Sequence, residues 1–153
     1  MTPAGIAFYL VPGLLLAWRG ERLRGALADR GLGARIGTRL LQWSALGYAL
    51  RGAFVPDAGD PGALATRLHA LAWSLWWLAF VAGACLLAAS ARRGRPFAAA
   101  CLGAAVLLPW LVLSGPAWFG PRAAAWLANA AWWAWWALAA WALRPRFRPL
   151  RGG

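Results

Sequence analysis

From Leu68 to Ala91 the chain carries no formal charge over 24 residues, and Arg92, Arg93 and Arg95 follow at once. At about 1.5 Å per residue a helix of that length crosses the roughly 30 Å hydrocarbon core of a bilayer. Lipid offers backbone N–H and C=O groups no partner, so such a run must satisfy them within itself, as a helix does. The same alternation of apolar run and arginine cluster continues along the sequence. It predicts an all-α polytopic membrane helix bundle of about five transmembrane helices. The expected spans are residues 3–18, 36–54, 68–91, 97–113 and 122–143, in one domain over residues 1–153.

The charge distribution supports this and sets the orientation. The net charge of +12 comes from sixteen arginines and no lysine, set against Glu21, Asp29, Asp57 and Asp60. These arginines lie at the ends of apolar runs rather than on one solvated face, which excludes a nucleic-acid partner. Thirteen of them fall after the first span, after the third and in the tail, leaving Arg51, Arg67 and Arg122 for the opposite side. The positive-inside rule then places the N-terminus outside and the C-terminus in the cytoplasm of a bacterial inner membrane. The abundance of Ala, Arg and Trp and the avoidance of Lys and Ile also fit a GC-rich genome. No cleavable signal peptide is evident. Cys85 and Cys101 fall in the cytoplasm-proximal halves of their spans, where thiols stay reduced, and read as small apolar fillers.

Local signals refine the spans. Thr2-Pro3 reads as a helix cap with proline in the first position, and Pro12 should kink the first helix. Leu23 and Leu27, four apart, suggest that this helix continues into the loop. Gly31 and Gly33 should break any helix there. The second span holds Arg39, Gln42, Ser44, Tyr48 and Arg51, polar groups that need partners inside the protein, so it should be the most enclosed helix. Asp60-Pro61 reads as the cap and first position of the third helix. Ser114 to Pro121, SGPAWFGP, reads as turn and interfacial residues. No internal repeat is present, which argues against an inverted-repeat transporter.

The connection from Arg51 to His69 gathers Asp57, Asp60 and the single histidine. Arg51, one turn inside the second span, should form a clasp with Asp57 or Asp60. His69 lies eight residues after Pro61 and Asn129 eight after Pro121, so the two should sit at similar depth and could hydrogen-bond. Asp57, His69, Arg51 and Asn129 are the candidate polar pocket. Trp73, Trp76, Trp132 and Trp136 are a candidate aromatic wall, with plain packing as the rival reading.

The segment Gly52-Ala53-Phe54-Val55-Pro56-Asp57, then a short Gly/Pro loop, then Leu68-His69 opening an apolar helix, resembles the bacterial integral-membrane family catalogued as domain of unknown function 998. Members have a span ending in a Phe-Pro-x-Asp-like turn, a histidine early in the next span and an arginine pair after it. Phe54, Pro56, Asp57, His69 and Arg92-Arg93 take those places, with Val55 an extra residue. Gly13-Leu14 to Leu23-Arg24 is also similar. The resemblance implies six spans, of which this chain lacks the first. It implies no activity.

The residues narrow the chemistry. One histidine and two cysteines toward the other face build no zinc site, and bis-histidine haem needs a second histidine. There is no Walker loop or dinucleotide fingerprint, and no nucleophile elbow surrounds Ser74 or Ser114. No metal, cofactor or catalytic residue is expected. The leading expectation is an integral membrane protein of unknown activity that binds a small apolar molecule or lipid in the outer pocket. The alternative is a non-catalytic partner or assembly subunit of another membrane protein. The lowest-ranked reading is a membrane enzyme using Asp57 and His69 as an acid–base pair.

Overall fold

The computed structural model describes residues 3–27, 31–57, 59–90 and 95–142. Their regular structure is entirely helical: α1 (Pro3–Ala26), α2 (Leu32–Ala53), α3 (Leu64–Ala89), α4 (Arg95–Leu113), α5 (Gly115–Phe119) and α6 (Pro121–Ala142). Two stretches among them, Leu64–Ala89 and Pro96–Leu113, are both long and apolar enough to cross a membrane. The Thr2 cap, the Arg92–Arg93 pair and the arginines of the tail lie outside the described residues.

Several boundaries differ from expectation, each for a local reason. α1 runs through Pro12 and past the end of the expected span to Ala26, in line with the Leu23–Leu27 spacing, since both leucines are buried and hold the extra turns against the bundle. Of the two glycines expected to stop a helix, only Gly31 does so, at a φ of 86°. Gly33 lies inside α2, where Ser90 Oγ comes within 2.6 Å of the place a Cβ would occupy. Asp60 and Pro61 do not start α3. Its N-cap is Ala63, with no side-chain cap. The Asp60 carboxylate instead accepts the Gly62 N–H at 2.8 Å, a local turn that competes with helix capping. The segment expected to be all turn contains α5, with Pro116 in its first turn, and Gly120 at φ 79° separates it from α6.

The long helices pack in the order α1, α2, α3, α4, α6, and α5 covers one end between α4 and α6. α2 is the most enclosed, burying twelve of its 22 residues against seven of 26 in α3 and seven of 22 in α6. Small residues bring its backbone against its neighbours. An ideal Cβ on Gly83 would lie 2.8 Å from the Gly37 carbonyl, and one on Gly47 would lie 2.7 Å from the Trp76 nitrogen. On the other face, a Cβ on Gly13 would lie 2.7 Å from that of Ala49. Such contacts maximise van der Waals attraction between helices. Leu41, Tyr48, Trp76, Phe80, Leu108 and Trp132 fill the core.

Beside the apolar core the bundle buries several polar groups and exposes many large apolar ones. Thr38, Gln42, Ser44, Arg51 and Asn129 are buried, whereas Leu15, Trp43, Leu71, Val106 and Trp141 stand exposed on the outer faces of the five long helices. Cys85 is exposed, Cys101 is buried, and both are free thiols.

Candidate functional site

Arg51 occupies the last turn of α2. Helical Cα–Cβ bonds tilt toward the N-terminus, so this position sends its side chain back into the bundle rather than out past the helix end. It is only 7% exposed. Its guanidinium carbon lies 4.5 Å from the ring centroid of Trp76 on α3, 5.1 Å from Tyr9 on α1 and 5.8 Å from Tyr48 on α2. Aromatic faces attract a cation most strongly where water is excluded. Nη1 donates to Asn129 Oδ1 on α6 at 3.3 Å, and Nε has no partner among the described residues.

The expected clasp of Arg51 with Asp57 or Asp60 does not form. Both carboxylates are exposed and close turns in their own loop: Asp57 Oδ1 accepts the Gly59 N–H at 2.9 Å, and Asp60 makes the Gly62 contact. Thr66 joins the two turns, its hydroxyl accepting the Asp57 N–H at 2.9 Å and donating to the Asp60 carbonyl at 3.2 Å. A carboxylate satisfied this way avoids the desolvation that meeting Arg51 would require. His69 donates from Nδ1 to the Phe54 carbonyl at 2.7 Å, fastening the end of α2 to the start of α3. Among the described residues His69 and Asn129 share no hydrogen bond: Asn129 Oδ1 accepts from Arg51 and His69 Nδ1 holds Phe54. Of the four polar candidates, the fold joins Arg51 with Asn129. Asp57 and His69 are held separately in the connection between α2 and α3.

A cavity of about 140 Å³ adjoins Arg51. Trp73 and Trp76 of α3, Leu111 and Val112 of α4, Pro116 of α5, and Pro121, Ala124, Ala125 and Ala128 of α6 complete its lining. Two members of the expected aromatic wall, Trp73 and Trp76, therefore line it, whereas Asp57 and His69 do not. Trp132 and Trp136 sit in the packed core instead. Trp132 stacks on Tyr48 with centroids 4.5 Å apart, and its Nε1 donates to Ser44 Oγ at 3.2 Å. Ser44 in turn donates to the Trp76 carbonyl at 2.7 Å. The Trp76 indole N–H, like those of Trp77, Trp135 and Trp136 and like Arg51 Nε, is buried without a partner among the described residues.

A second polar cluster lies at the other end of α1 and α2. Glu21 Oε1 accepts from Arg39 at 2.6 Å and from Gln42 at 2.9 Å, while Oε2 accepts from Arg24 at 2.7 Å. Gln42 also donates to the Ala17 carbonyl at 3.3 Å and accepts from Arg39 at 2.9 Å. The Gln42 hydrogen bond first, then Arg24 and the charge of Arg39, pull the Glu21 carboxyl down from 4.5 to about 2. Gly20 leaves the room, since a Cβ there would overlap Gln42 Cγ. Sequence reasoning found that Gln42 needed a partner but not which one. The three-residue spacings Glu21–Arg24 and Arg39–Gln42, each placing two polar groups on one helix face, were the available signal.

No family model, curated protein or solved structure matches this chain.

Proposed function

We propose that this chain is a five-span integral protein of a bacterial inner membrane, N-terminus outside and C-terminus cytoplasmic, that binds a small molecule or lipid in the pocket beside Arg51. The observation that carries the binding reading is a buried arginine, without a carboxylate partner among the described residues, on the wall of a cavity. Polar groups inside and large apolar side chains outside support lipid as the surrounding solvent. α2 and α6 have 22 residues each, about 33 Å at 1.5 Å per residue, and the part of α1 before its first arginine, residues 3–18, comes close to the length a span needs. Six of the α6 residues are tryptophan, which lowers its hydropathy without adding charge. The arginine bias supplies the orientation. The resemblance to the domain of unknown function 998 family, carried by Phe54, Pro56, Asp57, His69 and Arg92-Arg93, adds no activity.

A second reading, a non-catalytic partner subunit, draws on α4, where Ala99 and Gly103 are exposed four residues apart and a Cβ at Gly103 would meet nothing. The acid–base reading draws no support from Asp57 and His69, whose side chains bond to different groups.

Two measurements test the proposal. A reporter fused after Gly153 should be active only in the cytoplasm, and activity on the far side refutes the topology. Native mass spectrometry of protein taken gently from membranes should show a bound small molecule or lipid that Ala125→Phe, which fills the cavity, removes. A bare protein, or one whose adduct survives that substitution, refutes the pocket.

A further inference from the structure

Resting on that pocket, we infer that its occupant is an amphipathic anion, whose carboxylate or phosphate meets Arg51 while its apolar chain leaves along α6. Arginine stays charged at any physiological pH, and a buried charge is costly unless paired. Among the described residues no carboxylate lies within ion-pair distance of Arg51. The aromatic faces and one amide oxygen offset part of that cost, and Nε remains unsatisfied. Trp76, the residue under the guanidinium, also lines the cavity. The guanidinium is a donor only. A neutral apolar guest would leave its charge unpaired, and a cation would be repelled. An oxyanion supplies acceptors alone, and its paired oxygens suit the guanidinium fork.

Size limits what enters. About 140 Å³ is near the roughly 150 Å³ cavity that holds benzene and below the roughly 300–1,000 Å³ of sites enclosing whole ligands. The cavity therefore takes an acid group and a few carbons. Pro121 and Ala125 in its lining are exposed, so it opens beside the first turns of α6, where the rest of the chain leaves.

The test uses the full chain in a neutral detergent, reading the thermal unfolding midpoint against decanoate, decyl phosphate, decanol, decyltrimethylammonium and acetate. The two decyl anions should raise the midpoint saturably. Decanol, the cation and tail-less acetate should not. Arg51→Met and Ala125→Phe should each weaken the decanoate response at least ten-fold. Ala125 is exposed, so its variant keeps the test open should Arg51→Met fail to fold. In nanodiscs, added phosphatidylglycerol that weakens decanoate ten-fold identifies a lipid headgroup as occupant, and no competition identifies a free acid. Decanol matching decanoate overturns the acid while leaving the pocket. No saturable response to any amphiphile, with Ala125→Phe indistinguishable from wild type, overturns both.

Discussion

Arg51 on α2 and Asn129 on α6 share one hydrogen bond of 3.3 Å across 78 residues of sequence. Through it α6 meets the only long side chain that α2 sends into the α5 end of the bundle with a charge on it. The pair sits beside the cavity, so the bond that joins the helices also positions the guanidinium.

Removing one member of this pair should cost more than removing both. Asn129→Leu leaves Nη1 without its acceptor beside an already unmatched Nε, a loss of about 1–3 kcal/mol for an unsatisfied buried donor. Arg51→Met with Asn129→Leu removes donors and acceptor together, and buried polar groups replaced as a set by apolar ones are often neutral. The double variant should therefore unfold at a higher temperature than Asn129→Leu alone, followed by tryptophan fluorescence in detergent. Simple addition of the two single effects would show that the bond carries no coupling.

Gly47 and Gly103 predict opposite responses to the same substitution. At Gly47 a Cβ would press on the Trp76 nitrogen and the Ala72 carbonyl, backbone atoms that cannot swing aside. Gly47→Ala should cost about 1–3 kcal/mol as overpacking. At Gly103 the space is open, so Gly103→Ala should gain up to ~1 kcal/mol from helix propensity. Equal unfolding midpoints for the two variants would contradict the α2–α3 crossing.

The Glu21 cluster carries a pH dependence of known sign. The folded carboxyl titrates at about 2, below its ordinary 4.5, so the folded state favours the ionised form. Its contribution is complete above pH 4.5 and is lost as the pH falls toward 2. Wild type should thus exceed Glu21→Gln in unfolding midpoint at pH 6, and the gap should close as the solution is acidified to pH 2–3. A gap that is constant over that range would show that Glu21 is not held as an ion by Gln42, Arg24 and Arg39.

Asp57 and His69 should behave as independent residues. One closes a turn onto Gly59 and the other holds the Phe54 carbonyl. Effects of Asp57→Asn and His69→Ala on stability should add within about 0.3–0.5 kcal/mol, as for sites with no shared partner. A coupling of 1 kcal/mol or more in that cycle would restore the acid–base pair.

The all-helical class, the enclosure of α2 and the need of Gln42 for a partner were legible in the sequence, because each follows from local rules. Uncharged runs demand self-satisfied backbone, and polar residues within such a run demand protein around them. The Gly33–Gly37 spacing, small residues four apart on one face, also marked the surface that α3 covers, although Gly33 taken alone reads as a helix breaker. Which acceptor Arg51 takes was not legible. Asp57 and Asp60 are closer in the chain and more strongly attractive, yet each is already satisfied by a turn, while Asn129 arrives only when α6 packs against α2 and α3. Trp73 and Trp76 border empty space and Trp132 does not, although all are tryptophans in apolar runs, because α5 and the alanines of α6 leave a gap at one level of the bundle and close it at the next. Residue type set what had to be buried or paired; the packing of helices distant in sequence chose the partners and left the space.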